Sequence, residues 1–273
     1  MKMLKPTVIA SEKLTVEEGD ATWEDSVDWG QPQLVSKQWL DSELLYMAGL
    51  LAERFGESVV ILTDANGDKT GDQSLASLIK RWFPPCAPKS ENDIPDLGLV
   101  CHWSINQEVH KEIRLCQMPH HTQCLLDKFR QEWFPVWEWI ILAPQQTCVS
   151  VHQDVMRTAS WNILTSGRKL WAFWHPENSP PKQSNTKKFF EGILSEKVSP
   201  PPDIVLVQEV NDFVWIPSGW WHGVYYLQPC ICITKNIVNL NNIKLILDTS
   251  ENDDKSFHKL LSKIAEHQGL ISS

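Results

Sequence analysis

In the stretch "VSVHQDVMRTASWNILTSGRKLW", residues 149–171, a histidine and an aspartate stand two positions apart and a lysine follows a Ser-Gly pair. On an extended chain residues i and i+2 face the same way, so His152 and Asp154 can point at one ion. One imidazole and one carboxylate do not complete a site. A second imidazole would give the two-histidine, one-carboxylate set that holds one face of a ferrous ion and leaves its other positions open. The later "IPSGWWHGV" offers His222, at the start of a strand after a tight turn, where a neighbouring strand could bring it beside His152. Taken singly, each residue has a plainer reading: an HxD arises by chance, His222 suits a hairpin, and Lys169 suits an exposed strand end. Their joint occurrence is what points to metal chemistry.

The same stretch reads as a hairpin. With Ser166 and Gly167 as a two-residue loop, Leu164 opposes Lys169 and Asn162 opposes Trp171. Asn162 and Lys169 then lie on one face as diagonal neighbours, within reach of one small ligand. A lysine aimed into an apolar, Trp-lined interior is costly unless an anion neutralises it, and a dicarboxylate co-substrate would be that anion. The other histidines, His102, His110, His120, His121, His175, His258 and His267, have no carboxylate or histidine partner at ligand spacing on a strand.

Strands must position these groups, and the second half of the chain supplies them. "VWEWIILA", "ASWNILTSGRKLWAFWHP", "DIVLVQEV", "DFVWIP", "WHGVYYL" and "CICITKNIV" read as short strands with turn signals between them, the pattern of a sandwich or barrel. Upstream, "SKQWLDSELLYMAGLLAERFG" has helical spacing and ends at Gly56, "SVVILTDANGD" reads as a buried strand closed by an Asn-Gly turn, and "LGLVCHW" as another strand. Lys80 to Asp96 is loop-like, and "QCLLDKFRQEW" is helix-like up to Pro135. Between Glu177 and Asp203 lies a Pro, Ser and Lys rich insertion long enough for a lid or recognition loop. In "SFHKLLSKIAEH", Phe257, Leu260, Leu261, Ile264 and Ala265 form one helical stripe that must bury against the body or against a second subunit.

Composition narrows the class. The chain has 273 residues, 42% hydrophobic, with fourteen Trp against three Tyr, which suits wide apolar sheet faces. A net charge of -9 argues against a general nucleic-acid binder. No window approaches the ~20 apolar residues of a membrane span, and seven cysteines without a CxxC pair suggest reduced, buried thiols. The reading is a soluble cytoplasmic protein, nuclear placement being open to a eukaryotic one.

With these residues in view, the chain resembles the JmjC (Jumonji-C) oxygenases, which use Fe(II), 2-oxoglutarate and O2. It is most similar to the small protein-hydroxylase branch that includes the lysyl hydroxylase once called the phosphatidylserine receptor. "HQDVMRTASWN…GRKLW" and "FVWIPSGWWHGVYYLQPCICITKN" carry the likeness, over roughly residues 136–240. The resemblance implies a mainly β fold with flanking helices and a double-stranded β-helix (jelly-roll, cupin-like) core over 136–240. An N-terminal helix and strand region, 1–135, would shape the substrate site, and a helical segment, 241–273, would follow the core.

Residue by residue, the resemblance implies iron ligation by His152, Asp154 and His222. Lys169 would pair with the distal carboxylate of 2-oxoglutarate and Thr234 would donate a hydroxyl to the same end, with Asn162 along the co-substrate and Asn236 nearby. The family also draws a tyrosine or similar donor from an earlier strand, and none of Tyr46, Tyr225 and Tyr226 is obviously placed for it. The implied activity is hydroxylation of a protein or peptide side chain, with succinate and CO2 as co-products. Asp154 favours hydroxylation, because related halogenases lose this carboxylate to make room for halide. The other readings are an N-methyl-lysine demethylase, a small-molecule or tRNA oxygenase, and a silent binding module. Homodimers through the C-terminal helix, common among JmjC enzymes, are a further implication.

Overall fold

The computed structural model describes residues 13–16, 23–39, 47–84, 96, 98–105, 107–113, 115, 118–129 and 137–270. Five strands precede the region that carries the candidate site: β1 (Leu14–Thr15), β2 (Gln33–Ser36), β3 (Val59–Thr63), β4 (Lys69–Ser74) and β5 (Val100–Ser104). Eight more follow: β6 (Glu138–Ala143), β7 (Cys148–His152), β8 (Ala159–Ser166), β9 (Lys169–Trp174), β10 (Ile204–Gln208), β11 (Asp212–Ile216), β12 (Trp221–Tyr226) and β13 (Cys230–Ile237). The helices are α1 (Met47–Phe55), α2 (Leu75–Trp82), α3 (Gln107–Glu112), α4 (Thr186–Leu194), α5 (Ile243–Asp253) and α6 (Lys255–His267).

Two sheets face each other. One has nine strands in the order β1-β2-β11-β8-β13-β6-β5-β3-β4, the other four in the order β10-β9-β12-β7. The strands β6 to β13 are shared out between the sheets, β6, β8, β11 and β13 in one and β7, β9, β10 and β12 in the other, all antiparallel. This is the double-stranded β-helix, a mainly β core with flanking helices. Strands β1 to β5, from the first half of the chain, extend the larger sheet on both sides, so that half is hydrogen-bonded into the same sheet as the core.

The hairpin expected across Ser166-Gly167 does not form. β8 pairs with β11 and β13, whereas β9 pairs with β10 and β12 in the opposite sheet. The turn chemistry explains this: a two-residue hairpin loop needs a positive φ or a glycine at its first central position, and Ser166 is still strand, paired with Ile231. Gly167 instead turns the corner between sheets at φ +88°, where a Cβ would stand 2.1 Å from the Pro229 carbonyl oxygen. β9 is buried along its whole length and β8 along all but its last residue, so alternation could not reveal which sheet either joins.

Elsewhere the differences are local. Val59 and Ile61 are exposed while Val60 and Leu62 are buried, so β3 is half-buried rather than buried, although its Asn66-Gly67 turn forms, with Gly67 at φ +90°. Of the helix expected before Gly56, the described part is α1 (Met47–Phe55), and Ser36, at the start of the expected helix, belongs to strand β2; residues 40–46, Tyr46 among them, lie outside the described residues, as do 85–95. Residues 75–82 form α2, capped by the Ser74 hydroxyl on the Ser77 amide, so helix occupies the start of the segment expected to be loop. Residues 125–129 make a 3-10 turn rather than an α-helix.

The insertion after Glu177 holds α4, whose Phe190 and Ile193 are buried on the outer face of the four-stranded sheet with Leu170, Ala172 and Trp174. Phe190 comes so close that a Cβ on Gly223 would meet its ring at 2.9 Å. The insertion therefore braces the back of the strand that carries His222. The C-terminal stripe packs within the chain: Phe257, Leu261, Ile264 and Ala265 are buried in the main core, with Leu260 packed against it and Phe257 on Trp137. Among the described residues no helix is long and apolar enough to cross a membrane.

Candidate metal centre and its cavity

His152 is the last residue of β7, and its register partner on β12 is His222, which brings the two rings to 4.4 Å between centroids. After Asp154 the backbone leaves the strand through Met156 and Arg157, both at positive φ (52° and 55°). Ligand atoms of His152, Asp154 and His222 all lie within 4.8 Å of one another, the one such group of three or more His, Cys, Asp or Glu among the described residues.

Hydrogen bonds fix how each donor is presented. His152 Nδ1 lies 2.8 Å from the Ser150 carbonyl oxygen and His222 Nδ1 lies 3.2 Å from that of Trp220. A carbonyl only accepts, so both Nδ1 atoms carry a proton and the Nε2 atoms are the ones turned to the site. Burial, and next the neighbouring His152, push the His222 pKa down to about 4 against the opposing pull of Asp154, so at neutral pH this ring is an uncharged donor. Asp154 accepts a 2.6 Å hydrogen bond from the Ser160 hydroxyl, which orients the carboxylate. Two imidazoles and one carboxylate, converging from two strands, fit a divalent ion of the ferrous type.

The three groups open onto a cavity of about 360 Å³ between the sheets, of the size that holds a small ligand. Lys169, Asn162, Thr234 and Asn236 all line it. Lys169 and Asn162 meet as expected, but across the sandwich rather than along one sheet: Lys169 Nζ donates to Asn162 Oδ1 at 2.8 Å and to Cys232 Sγ at 3.2 Å. The ammonium also sits 4.8 Å from the centre of the Trp171 ring. Lys169 is 1% exposed, and no carboxylate pairs with it among the described residues. Thr234 gives its hydroxyl proton to the Trp161 carbonyl at 2.7 Å, so it turns only a lone pair toward the cavity. Asn236 donates to the Thr158 hydroxyl at 2.8 Å.

Two cavity residues escaped the sequence reading. His102 follows Val100 along β5 at strand period, and Val100 is buried in the core between the sheets, so His102 faces inward as well. Burial, and then His152, push its pKa down to about 4. Tyr226 lies four residues beyond His222 on the same strand, hence on the same face, and is 1% exposed. In both cases period two, counted from a recognised inward residue, was the available signal.

Residues 139–237, the strands that build this cavity, match the family model described as JmjC domain, hydroxylase. This segment of the chain is a JmjC domain. The chain is 31% identical over 125 residues to the 2-oxoglutarate and iron-dependent oxygenase JMJD4 of Gallus gallus, covering 40% of this chain and 28% of that protein. It is 27% identical over 144 residues to the lysine-specific demethylase JMJ21 of Arabidopsis thaliana, covering 43% and 15%. To the bifunctional arginine demethylase and lysyl-hydroxylase psr-1 of Caenorhabditis elegans it is 25% identical over 130 residues, covering 41% and 32%. The similarity thus spans less than a third of each of these relatives, and the family match, over 139–237, runs from β6 to β13 and includes none of β1 to β5.

Proposed function

We propose that this protein is an Fe(II)- and 2-oxoglutarate-dependent dioxygenase that hydroxylates a side chain of a protein or peptide. The observation that carries the reading is Lys169: a buried ammonium whose partners are an amide, a thiol and an aromatic ring, one cavity's length from three convergent metal donors. Burying a cation without an anion costs several kcal/mol, and a dicarboxylate bound in the cavity would supply that anion.

His152, Asp154 and His222 would hold one face of the ion, and the bared Nε2 atoms need no rearrangement to do so. Lys169 would hold the far carboxylate of 2-oxoglutarate, with Asn162 fixing the ammonium in place and Asn236 lining the wall beside Thr234. When bound, iron and 2-oxoglutarate couple oxidative decarboxylation, to succinate and CO2, to the insertion of one oxygen atom from O2 into a substrate C–H bond. The chain's own part is orientation and dryness: Ile141, Val149, Trp171 and Val224 line the walls between the metal donors and Lys169 and keep water from the reacting carbon.

The relatives include a lysyl-hydroxylase and demethylases. Both begin with the same hydroxylation. A hydroxyl on an N-methyl carbon collapses to formaldehyde and the free amine, whereas one on a carbon not attached to nitrogen stays, so the position of the attacked carbon separates them. Protein relatives favour a protein substrate, and the buried thiols Cys101, Cys124, Cys148, Cys230 and Cys232 suit a reducing compartment such as the cytoplasm. Self-association would have to use a surface other than the α6 stripe, which the chain covers itself.

The test is succinate formation by the purified protein with Fe(II), 2-oxoglutarate and O2, first without substrate, in the wild type and in Asp154→Ala. Succinate from the wild type alone is expected. No succinate, together with no binding of 2-oxoglutarate, would overturn the reading. Formaldehyde release on a peptide library would assign the protein to demethylation instead.

A further inference from the structure

The larger sheet runs on past the metal cavity. Beyond β6 it continues through β5, β3 and β4, whereas the smaller sheet has no strand beyond β7 among the described residues. At about 4.8 Å per strand, those three steps carry the floor about 14 Å out from β6, the length of about four residues of extended chain. Register gives the side chains on its inner face. Val100 and Thr63 are partners, and counting by two from them puts His102 and Ser104 on β5, with Ile61 and Val59 on β3, on the side that faces the cavity. Trp139, the partner of Ser104 on β6, lies on that side too, and both His102 and Trp139 line the cavity.

This shelf is covered at one end and bare at the other. The turn between β3 and β4 meets β7, where the Ser150 amide donates to the Ala65 carbonyl at 2.8 Å and the Ser150 hydroxyl to Asn66 Oδ1 at 2.9 Å. Away from that turn exposure climbs along one face of β3, from 8% at Thr63 to 45% at Ile61 and 71% at Val59. The bare end is the metal end. Ser160, which holds Asp154, lies at the start of β8, and the alternating directions of β8, β13, β6, β5 and β3 put Val59 at that same edge. Val155, on the lip of the cavity, is about half exposed as well. Apolar side chains gathered bare at the mouth of a cavity mark a binding surface. Polar groups stand unspent at its inner edge: neither the His102 ring nor the Trp139 indole has a hydrogen bond to a described residue. Between them they offer donors and an acceptor, the two kinds of group that a peptide main chain alternates. Strands β3, β4 and β5 carry one cation and no arginine, and that cation, Lys69, is paired with Asp72 at 2.8 Å, so the shelf holds no unpaired charge for a phosphate backbone.

We infer that this shelf, from Trp139 and His102 out to Ile61 and Val59, seats an extended peptide segment of the substrate, with an apolar side chain two to four positions from the modified residue packed on Ile61 and Val59. The inference rests on the proposed activity and narrows its substrate to a chain with an apolar flank on one side. His102 is the specificity-determining contact at the inner edge, where its ring meets the main chain beside the modified residue. The shelf belongs to strands that precede the JmjC match, so the segment that selects the substrate and the segment that performs the chemistry are successive parts of one sheet.

The experiment presents the iron-loaded protein, 2-oxoglutarate and O2 with a randomised library of eleven-residue peptides, and in parallel with random single-stranded RNA, and reads oxygen incorporation by mass. KM and kcat are then measured on the best peptide for the wild type, Ile61→Glu, Val59→Glu and Leu194→Glu, the last placing the same charge on an exposed apolar residue at the end of α4. Both shelf positions are exposed, and Val59 opens its strand, so at least one variant keeps the fold, which a thermal melt and 2-oxoglutarate binding to the Mn(II)-loaded protein verify. The expected result is a library preference for an apolar residue two to four positions to one side of the modified one. With it comes a KM raised at least about tenfold in Ile61→Glu, the scale of one buried aliphatic side chain, and several-fold in Val59→Glu, with kcat kept and Leu194→Glu at the wild-type KM. An unchanged KM in both shelf variants, or an equal rise in Leu194→Glu, would overturn this inference and leave the proposed activity standing. So would a wild type that forms succinate yet oxidises the RNA, or no peptide. A wild type that neither forms succinate nor binds 2-oxoglutarate would overturn the proposed activity itself, and this inference with it.

Discussion

Replacing Lys169 by methionine separates a functional cation from a structural one. The side chain is almost fully buried, and methionine keeps most of its volume while removing the charge. Loss of one member of a buried, hydrogen-bonded charge pair costs about 2–5 kcal/mol of binding. At about 1.4 kcal/mol per factor of ten, that is a roughly 30-fold to several-thousandfold weaker hold on 2-oxoglutarate. Stability should move the other way or not at all. The substitution relieves a desolvated ammonium worth several kcal/mol and strands one acceptor, Asn162 Oδ1, at about 1–3 kcal/mol. The metal-free protein should therefore melt at or above the wild-type temperature. Calorimetric titration of 2-oxoglutarate and a thermal melt of the same samples give both quantities. Undiminished affinity would refute the role given to Lys169. A melting temperature lower by about 10 °C, equivalent to some 3 kcal/mol for a chain of this size, would show that the ammonium supports the core instead.

Further perturbations probe the rest of the site. Asp154→Ala should abolish succinate formation while the melting temperature stays within a few degrees, because the carboxylate is only partly buried and its loss costs the Ser160 hydrogen bond alone; unfolding seen by circular dichroism would count against that assignment. Gly167→Ala should cost about 2–5 kcal/mol, from a strained positive φ and a Cβ driven into the Pro229 carbonyl, and wild-type thermal stability would be inconsistent with the corner described. The metal-free protein should lose stability as pH falls. His222 and His102 are held near a pKa of about 4 in the fold against 6.5 when free, so between those values the unfolded chain binds protons that the folded one does not. Each histidine then removes about 1.4 kcal/mol per pH unit below 6.5, levelling off below 4. Urea melts at pH 7 and pH 5 should show a smaller difference in His102→Phe than in the wild type, and equal differences would dismiss His102 as a contributor.

Much of the site could be read directly because it is local. His152 and Asp154 are two residues apart, and any extended backbone presents such a pair together. The pairing of His222 with His152 needed only that two strands be neighbours, and the polar residues Asn162 and Lys169 in apolar strands already required a shared partner. The core strands were legible for the same reason, as runs of β-branched and aromatic residues between turn signals. What lay beyond local reading was partnership. β8 and β9 are separated by two residues yet belong to opposite sheets, because the choice is made by Gly167 against Pro229, a contact between residues more than sixty apart in sequence. The helix α4 has an apolar face whose covering is supplied by β7, β9 and β12, and α6 likewise finds its cover in the main core rather than in a second subunit. Sequence determined which groups could do chemistry and the strands that carry them; the tertiary structure decided which of those groups are spent on one another and which remain for a ligand, because hydrogen-bond capacity is divided among neighbours in space, and most of these neighbours are distant along the chain.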